Sequence, residues 1–406
     1  MTQRILHIGV GNFARAHLAD YTQDAGGWAI TGVSLRSATV RDGLRAQGFE
    51  YGLAVQGQGV KQITVFDDVL VAPEDPQAVL DQIADPQVHV ISVTVTEKGY
   101  HLGADNRLDF DDPLIVQDLS ESTPRSVIAF LARGLAARRG PVTVLSCDNR
   151  AANGDVLRDA VSDFAGRAGV QIDMAQVSFP NSMVDRITPA TTQTLRDDTG
   201  DAMAVPTEPF REWVIEDRFA GPRPDWPGVV LAQDVAPHEM RKLRMLNGAH
   251  SMLAYAGTLA GHSYVHEAVA DLDLRAATQA LMTETAQTLT PEMQVIASDY
   301  ADALVARFDN PHINHSLRQI AMDGSQKLTY RMVDSLRALA ADGRAAPALA
   351  AAVRAWIAFC RAEVGAGQAL QDPAADQIAG ILTSGGSDAD LLAVIGASDL
   401  GGVILE

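Results

Sequence analysis

The stretch from Glu239 to His250 reads Glu-Met-Arg-Lys-Leu-Arg-Met-Leu-Asn-Gly-Ala-His. It gathers a lysine, an amide and an imidazole among apolar neighbours, Leu243, Met245, Leu246 and Ala249. At about 100° per residue of α-helix, Asn247 lies about 140° and His250 about 80° round from Lys242, so the three share one broad face. Asn247 and His250 are spaced i, i+3, and Glu239 stands one turn before Lys242. A lysine among apolar residues gives up its proton more readily, because desolvation disfavours the ammonium. A nearby cationic nicotinamide would depress it further. Such a lysine can serve as general base towards an alcohol, and an amide donor beside it can hold the developing alkoxide. Residue types alone leave the plainer alternative open: a solvated Lys242 and a core His250.

The elements that must position these groups follow from hydrophobic pattern. Arg4–Gly9 predicts a strand, Phe13–Ala25 a helix, Trp28–Leu35 a second strand, and Val40–Gln47 a second helix. Val88–Val95 is apolar and β-branched, the mark of a strand buried on both faces. Arg125–Arg139 reads as helix, Val142–Cys147 as strand and Asp155–Ala168 as helix. This alternation predicts an α/β fold, a Rossmann-like doubly wound parallel sheet. Gly221–Gly228 is dense in proline and glycine and marks a boundary. Beyond it the pattern is helical: Pro237–Ala260, Asp271–Gln287, Asp299–Arg307, Leu328–Ala341 and Ala346–Val364. Two domains are therefore expected, a dinucleotide-binding domain over 1–230 and a mostly α-helical catalytic domain over 231–406. The active site is expected in the cleft between them.

The first strand runs into Gly9-Val-Gly11-Asn12-Phe13-Ala14, a G-x-G-x-x-A turn opening a helix. Gly9 permits the tight turn, Gly11 lets a pyrophosphate approach the backbone, and Ala14 lets helix and strand pack closely. The usual acidic partner for the ribose would end the second strand. Here that strand ends Ser34-Leu35-Arg36-Ser37-Ala38-Thr39, with no acid until Asp42. A basic Arg36 favours a 2′-phosphate by the simple rule, so NAD is expected with NADP also open.

The chain has 406 residues, enough for two domains. It is 47% hydrophobic and 20% charged, which suits a large core and excludes disorder. Its net charge of −19 would repel phosphate backbones, so no nucleic-acid partner is expected. No apolar run reaches the roughly 20 residues of a membrane helix, and the N-terminus reads as a strand, not a signal peptide. Two cysteines, Cys147 and Cys360, make neither a disulfide framework nor a zinc knuckle, and a reducing cytoplasm fits them. His262 and His266 stand at i, i+4, but no third ligand follows at useful spacing, so no metal is expected.

With these residues in view, the Lys242-x-x-x-x-Asn247-x-x-His250 spacing resembles the signature of the polyol-specific long-chain dehydrogenases. That family includes the mannitol 2-dehydrogenase and fructuronate reductase (D-mannonate oxidoreductase) types. Other stretches match it too: Gly9–His17, Thr94–Tyr100, Ser146–Asn149, Phe179–Pro189 and Met322–Lys327. The resemblance runs from residue 1 to about 330. It implies zinc-independent hydride transfer between nicotinamide and a secondary alcohol, D-mannitol/D-fructose or D-mannonate/D-fructuronate in type. Lys242 would be the base, Asn181 and Asn247 the oxyanion pocket, His250 the group orienting substrate hydroxyls, and Glu239 the gate for proton exchange with solvent. Without the family, Asn181 alone reads as a turn residue after Pro180. Cofactor contacts are expected from Gly9, Gly11, Asn12, Phe13, Arg36, Ser37, Thr94, Glu97 and Asn149.

The departures concern substrate and cofactor. Some mannitol dehydrogenases carry acids where this chain has Ala38 and Thr39. Some hold the substrate with a positive residue and a histidine where this chain has Gln319 and Met322. The Gln319–Lys327 run looks more like the fructuronate reductase branch, and Arg307 and His315 are candidates to hold a substrate carboxylate. The expected partner is a small polyol or sugar acid, and the chain is a monomer or small homo-oligomer. The alternative is a catalytically silent NAD(P)-binding sensor or interaction protein on the same fold.

Overall fold

The computed structural model describes residues 3–103 and 105–406. Twelve strands occur among them: β1 (Gln3–Ile8), β2 (Trp28–Ser34), β3 (Tyr51–Val55), β4 (Gly59–Ile63), β5 (Phe66–Val71), β6 (Val88–Val93), β7 (Val142–Ser146), β8 (Val177–Ser178), β9 (Ser182–Asp185), β10 (Val205–Thr207), β11 (Glu212–Glu216) and β12 (Val230–Ala232). The apolar second half of β1 lies where such a strand must, mid-sheet between β2 and β6. The sheet runs β5-β2-β1-β6-β7-β8 with every pairing parallel. Strand order reverses between β1 and β6, the switch point of a doubly wound sheet. The expected Rossmann-like fold is what the first half adopts.

Two further three-stranded sheets were not anticipated. One runs β10-β3-β4 and the other β12-β11-β9, each with one parallel and one antiparallel pairing. Their strands are short, and β10 pairs with β3 from about 150 residues along the chain, so local alternation carries little of their signal. The expected continuous helix Phe13–Ala25 is two helices, Asn12–Ala16 and Leu18–Ala25. The break falls at His17, whose buried ring stacks on Phe13 and meets Tyr21 and Trp213 edge-on. Its Nε2 lies 3.2 Å from the Glu212 carbonyl, and the Arg186 guanidinium donates to the Ala16 carbonyl. Those long-range bonds outcompete the helix ladder.

The chain divides into two compact units, Met1–Ala236 and Pro237–Glu406. The second unit is helical throughout its described elements and surrounds the helix Asn247–Leu259. That helix is buried continuously from Gly248 to Tyr255 and packs on Pro347–Gly365, Leu272–Ala286 and Leu317–Ile320. A helix hydrophobic all round belongs at a core's centre. Two helices expected to be uninterrupted are not. Pro237–Ala260 resolves into Ala236–Arg241, a π-helical turn Lys242–Leu246, and Asn247–Leu259. Leu328–Ala341 begins with a second π-turn, Thr329–Val333, before Asp334–Ala341. Among the described residues no helix is long and apolar enough to cross a membrane.

Gly9 is the residue on which the sheet's switch point turns. Its φ is +103°, and a Cβ there would stand 1.9 Å from the Thr94 carbonyl oxygen. Gly9→Ala therefore forces apart the ends of β1 and β6. We expect it to destabilise the protein by about 3 kcal/mol or more, read as a lowered urea midpoint at unchanged slope.

Candidate active site

The first unit presents a crevice rim at the carboxyl ends of β1 and β6. The Gly9 amide donates to the Val33 carbonyl and the Thr94 amide to the Ile8 carbonyl, which fixes the rim. Gly11, the residue before the helix Asn12–Ala16, gives it no side-chain cap, and a Cβ on Gly11 would meet nothing within 4 Å. The opening amides of that helix thus face room for an anion. Asn12 and Phe13 flank this room, but their side chains serve the scaffold. The Asn12 amide donates to Thr191 Oγ1 (3.1 Å) and accepts from Arg15 Nη2 (2.7 Å), and Phe13 stacks on His17. Any cofactor contact from Asn12 then comes through its backbone. Arg36 and Ser37 are exposed beyond β2, with Ser34 Oγ donating to the Ser37 carbonyl to close the turn.

Thr94 and Glu97 follow β6, and Asn149 follows β7. Pattern reading missed what holds this loop. Asp148, buried, accepts from the amides of Val95 (3.0 Å) and Thr96 (2.8 Å) and from Tyr100 OH (3.0 Å). Burial pushes its carboxyl above the usual range, partly offset by those donors. Thr96 sits at φ +67°, a strained value for threonine that the Asp148 contacts sustain. The sequence contained a signal in Ser146-Cys-Asp148-Asn149, since an acid closing a buried strand needs donors.

Asn181 is held on both sides by its own unit. Its Oδ1 accepts from the Asp155 amide (3.0 Å), and its Nδ2 donates to Asp155 Oδ2 (2.8 Å) and, at 3.4 Å, to Glu216 Oε1. It is a well-anchored amide, but both amide hydrogens are engaged.

In the second unit, Lys242 and Asn247 are the two ends of one π-turn. The Asn247 amide donates to the Lys242 carbonyl, an i to i+5 bond. This changes the angle between the pair from that of an α-helix. On an α-helix the pair would diverge by about 140°, whereas the i to i+5 bond of the wider turn brings Asn247 nearer to the side of Lys242. Lys242 is 9% exposed. Glu239 is half-buried on the preceding turn. His250 lies one turn beyond Asn247, buried, against Phe308 (4.7 Å between ring centres) and edge-on to His315 (5.0 Å). Burial first, then the charges of His315, Arg307, Arg331 and Lys242, hold its imidazolium well below the ordinary histidine range. His315 is lowered to about 4 by burial and by Arg307. Both imidazoles are therefore neutral at physiological pH, and His250 can give one hydrogen bond and accept another. Arg307, buried in the last turn of Pro291–Phe308, belongs to the same neighbourhood.

Arg331 completes it and was not singled out in the sequence. It lies on the second π-turn, on the side of the expected helix that Leu328 and Met332 mark as apolar. An arginine in an apolar stripe was the available clue. The remaining candidates are structural. His262 Nε2 pairs with Asp271 at 3.7 Å, and His266 Nδ1 lies 3.3 Å from the Ile313 carbonyl. Among the described residues no cluster could hold a metal ion. Burial pushes the Cys147 thiol up, against reactivity.

A glycine turn at a parallel switch point and a helical unit with paired lysine and amide define a dehydrogenase of two units. Residues 3–228 match the family model described as the mannitol dehydrogenase Rossmann domain, and residues 234–400 that of the mannitol dehydrogenase C-terminal domain. The chain belongs to the mannitol dehydrogenase family. It is 36% identical to the mannitol 2-dehydrogenase of Phaeosphaeria nodorum over 93% of this chain and 72% of that protein. It is 39% identical to the D-mannonate oxidoreductase of Escherichia coli over 88% of this chain and 80% of that one. Pseudomonas fluorescens mannitol 2-dehydrogenase, solved with NAD and D-mannitol, superposes at a TM-score of 0.80 with 35% identity, covering 100% of this chain and 88% of that one.

The environment of His250 yields a direct expectation. Nitrogen-15 spectra of the imidazoles should show His250 and His315 as neutral tautomers at pH 6. A titration of either near 6.5 would contradict the buried, cation-flanked arrangement.

Proposed function

We propose that the protein is an NAD-dependent oxidoreductase acting on a secondary alcohol of a sugar acid or polyol, with Lys242 as general base. The observation that carries this is the π-turn backbone bond that joins Asn247 to a buried lysine, Lys242. The uncapped turn at Gly11, with space where a Cβ would be, suits a dinucleotide pyrophosphate. NAD, when bound, supplies the hydride acceptor. In oxidation the carbinol C–H gives up its hydride, and Lys242 Nζ takes the hydroxyl proton as the C=O bond forms. Asn247 Nδ2 donates to that oxygen as charge builds on it, an effect of about 10²–10³ in rate. Asn181 would join by exchanging its longer contact to Glu216 for the substrate oxygen. Neutral His250 orients neighbouring hydroxyls, and Glu239 passes the proton from Lys242 to solvent. In reduction the protonated lysine returns it.

Between the two substrate types, the surroundings of His250 favour the acid. Arg307, Arg331 and Lys242 all bear on it with positive charge, and among the described residues Arg331 forms no ion pair with a carboxylate. An arginine without a carboxylate partner, set among other positive charges, gains most from an anionic ligand. The D-mannonate/D-fructuronate type is therefore the first reading, with Arg307 and His315 nearest to hold the carboxylate. The D-mannitol/D-fructose type is the second, supported by the mannitol 2-dehydrogenase relatives.

Reduced-nicotinamide absorbance across D-mannonate, D-altronate, D-mannitol and D-arabinitol tests both. Faster turnover of an aldonate supports the first reading, and faster turnover of a polyol replaces it with the second. Binding of NAD with no turnover on any of them would leave a silent sensor. Lys242→Ala should lower kcat by about 10³ or more while NAD still binds. Retained turnover in that variant at neutral pH would refute the base assignment. With Arg36 exposed and no acid ending β2, NADP should be accepted within about tenfold of NAD in kcat/KM. A preference of several hundredfold for NAD would mean that another group rejects the 2′-phosphate.

A further inference from the structure

The lysine-bearing turn does not stand alone. The second π-turn, Thr329–Val333, lies against it and is closed by the same kind of bond, from the Asp334 amide to the Thr329 carbonyl. Arg331 sits in the middle of that turn. Its Nη1 donates to Ser251 Oγ at 2.9 Å and, at a longer 3.4 Å, to the carbonyl of Asn247. Between those two acceptors is Gly248, where a Cβ would stand 3.3 Å from the Arg331 carbonyl oxygen. The glycine thus lets the two turns approach backbone to backbone. Arg331 Nε is buried with no hydrogen-bond partner. An arginine so placed is costly, and a purely structural tie would not need its charge or its fork.

A π-turn is one hydrogen-bond shift away from ordinary helix. If the Asn247 amide moved to an i−4 acceptor, the side chain of Asn247 would rotate about the helix axis away from Lys242. Something must hold the wider turn open. We propose that Arg331 is a positioning residue for the alcohol–ketone step: gripping Ser251 and the Asn247 carbonyl, it fixes the π-turn that joins Asn247 to Lys242. The inference rests on the reading of Lys242 as base and Asn247 as oxyanion donor.

The test uses the full-length protein with Arg331→Met, Arg331→Lys and Ser251→Ala, assayed with NAD and the best substrate of the panel above. Arg331→Met should lower kcat by about tenfold or more, on the scale that misplacement of a reacting group costs. The KM for NAD and the NAD dissociation constant should stay unchanged. The solvent deuterium effect on kcat should rise, because proton transfer to a displaced lysine becomes limiting. Arg331→Lys should recover part of the lost kcat, and Ser251→Ala, which removes only the 2.9 Å bond, should show the same pattern more weakly. If Arg331→Met fails to fold, Arg331→Lys and Ser251→Ala decide the matter. Wild-type kcat in the folded variants, or a loss confined to KM with no change in the isotope effect, overturns the proposal. Failure of the underlying reading shows separately, as turnover retained by Lys242→Ala.

Discussion

A single backbone hydrogen bond, from the Asn247 amide to the Lys242 carbonyl, sets what the second unit can do. In an ordinary α-helix residues five apart diverge by about 140°. Widening one turn brings a lysine and an asparagine nearer to one side without any loop, at the start of the central helix of a core. The helix that carries them is buried from Gly248 to Tyr255, so their supports are packed side chains rather than mobile chain. The same burial keeps His250 neutral, which suits it to hydrogen-bonding hydroxyls rather than to carrying the proton.

The first unit reaches its geometry by a different kind of constraint. There, backbone crowding does the positioning. Gly9 is the residue that tolerates the Thr94 carbonyl at the end of the neighbouring strand, and Asp148 pins the loop that follows. Around these points the helix beginning at Asn12 and the turn after β2 are tied down by Thr191, Arg15 and Ser34. Rigidity at the rim and room beside Gly11 are complementary requirements for gripping a phosphate through main-chain amides.

How much of this could be read from sequence depended on the range of the forces involved. The strands β1, β2, β6 and β7 are apolar runs whose pattern is local, and the glycine turn after β1 declares its own purpose. The lysine, the amide and the imidazole were visible as residue types. Their mutual geometry was not, because a π-turn leaves the apolar spacing of Leu243, Met245, Leu246 and Ala249 compatible with a plain helix. Only the partner turn across the core distinguishes the two. The interruption at His17 escaped for a related reason: its determinants, Arg186, Glu212 and Trp213, lie far along the chain, as does β3, the partner of β10. Asp148 is buried and Arg331 half-buried, and burial is a property of the folded whole.

The wide turn also bears on how such a site can arise and be lost. A π-turn accommodates one residue more than the α-helical ladder around it would use. Its flanks, Ala236–Arg241 and Asn247–Leu259, are ordinary helix with ordinary core contacts. Removing one residue between them would close the ladder while leaving both flanks able to pack. Adding one to a plain helix would do the reverse. The placement of Lys242 and Asn247 is thus separable from the fold by a single codon, so a descendant could keep the scaffold intact while that placement was lost.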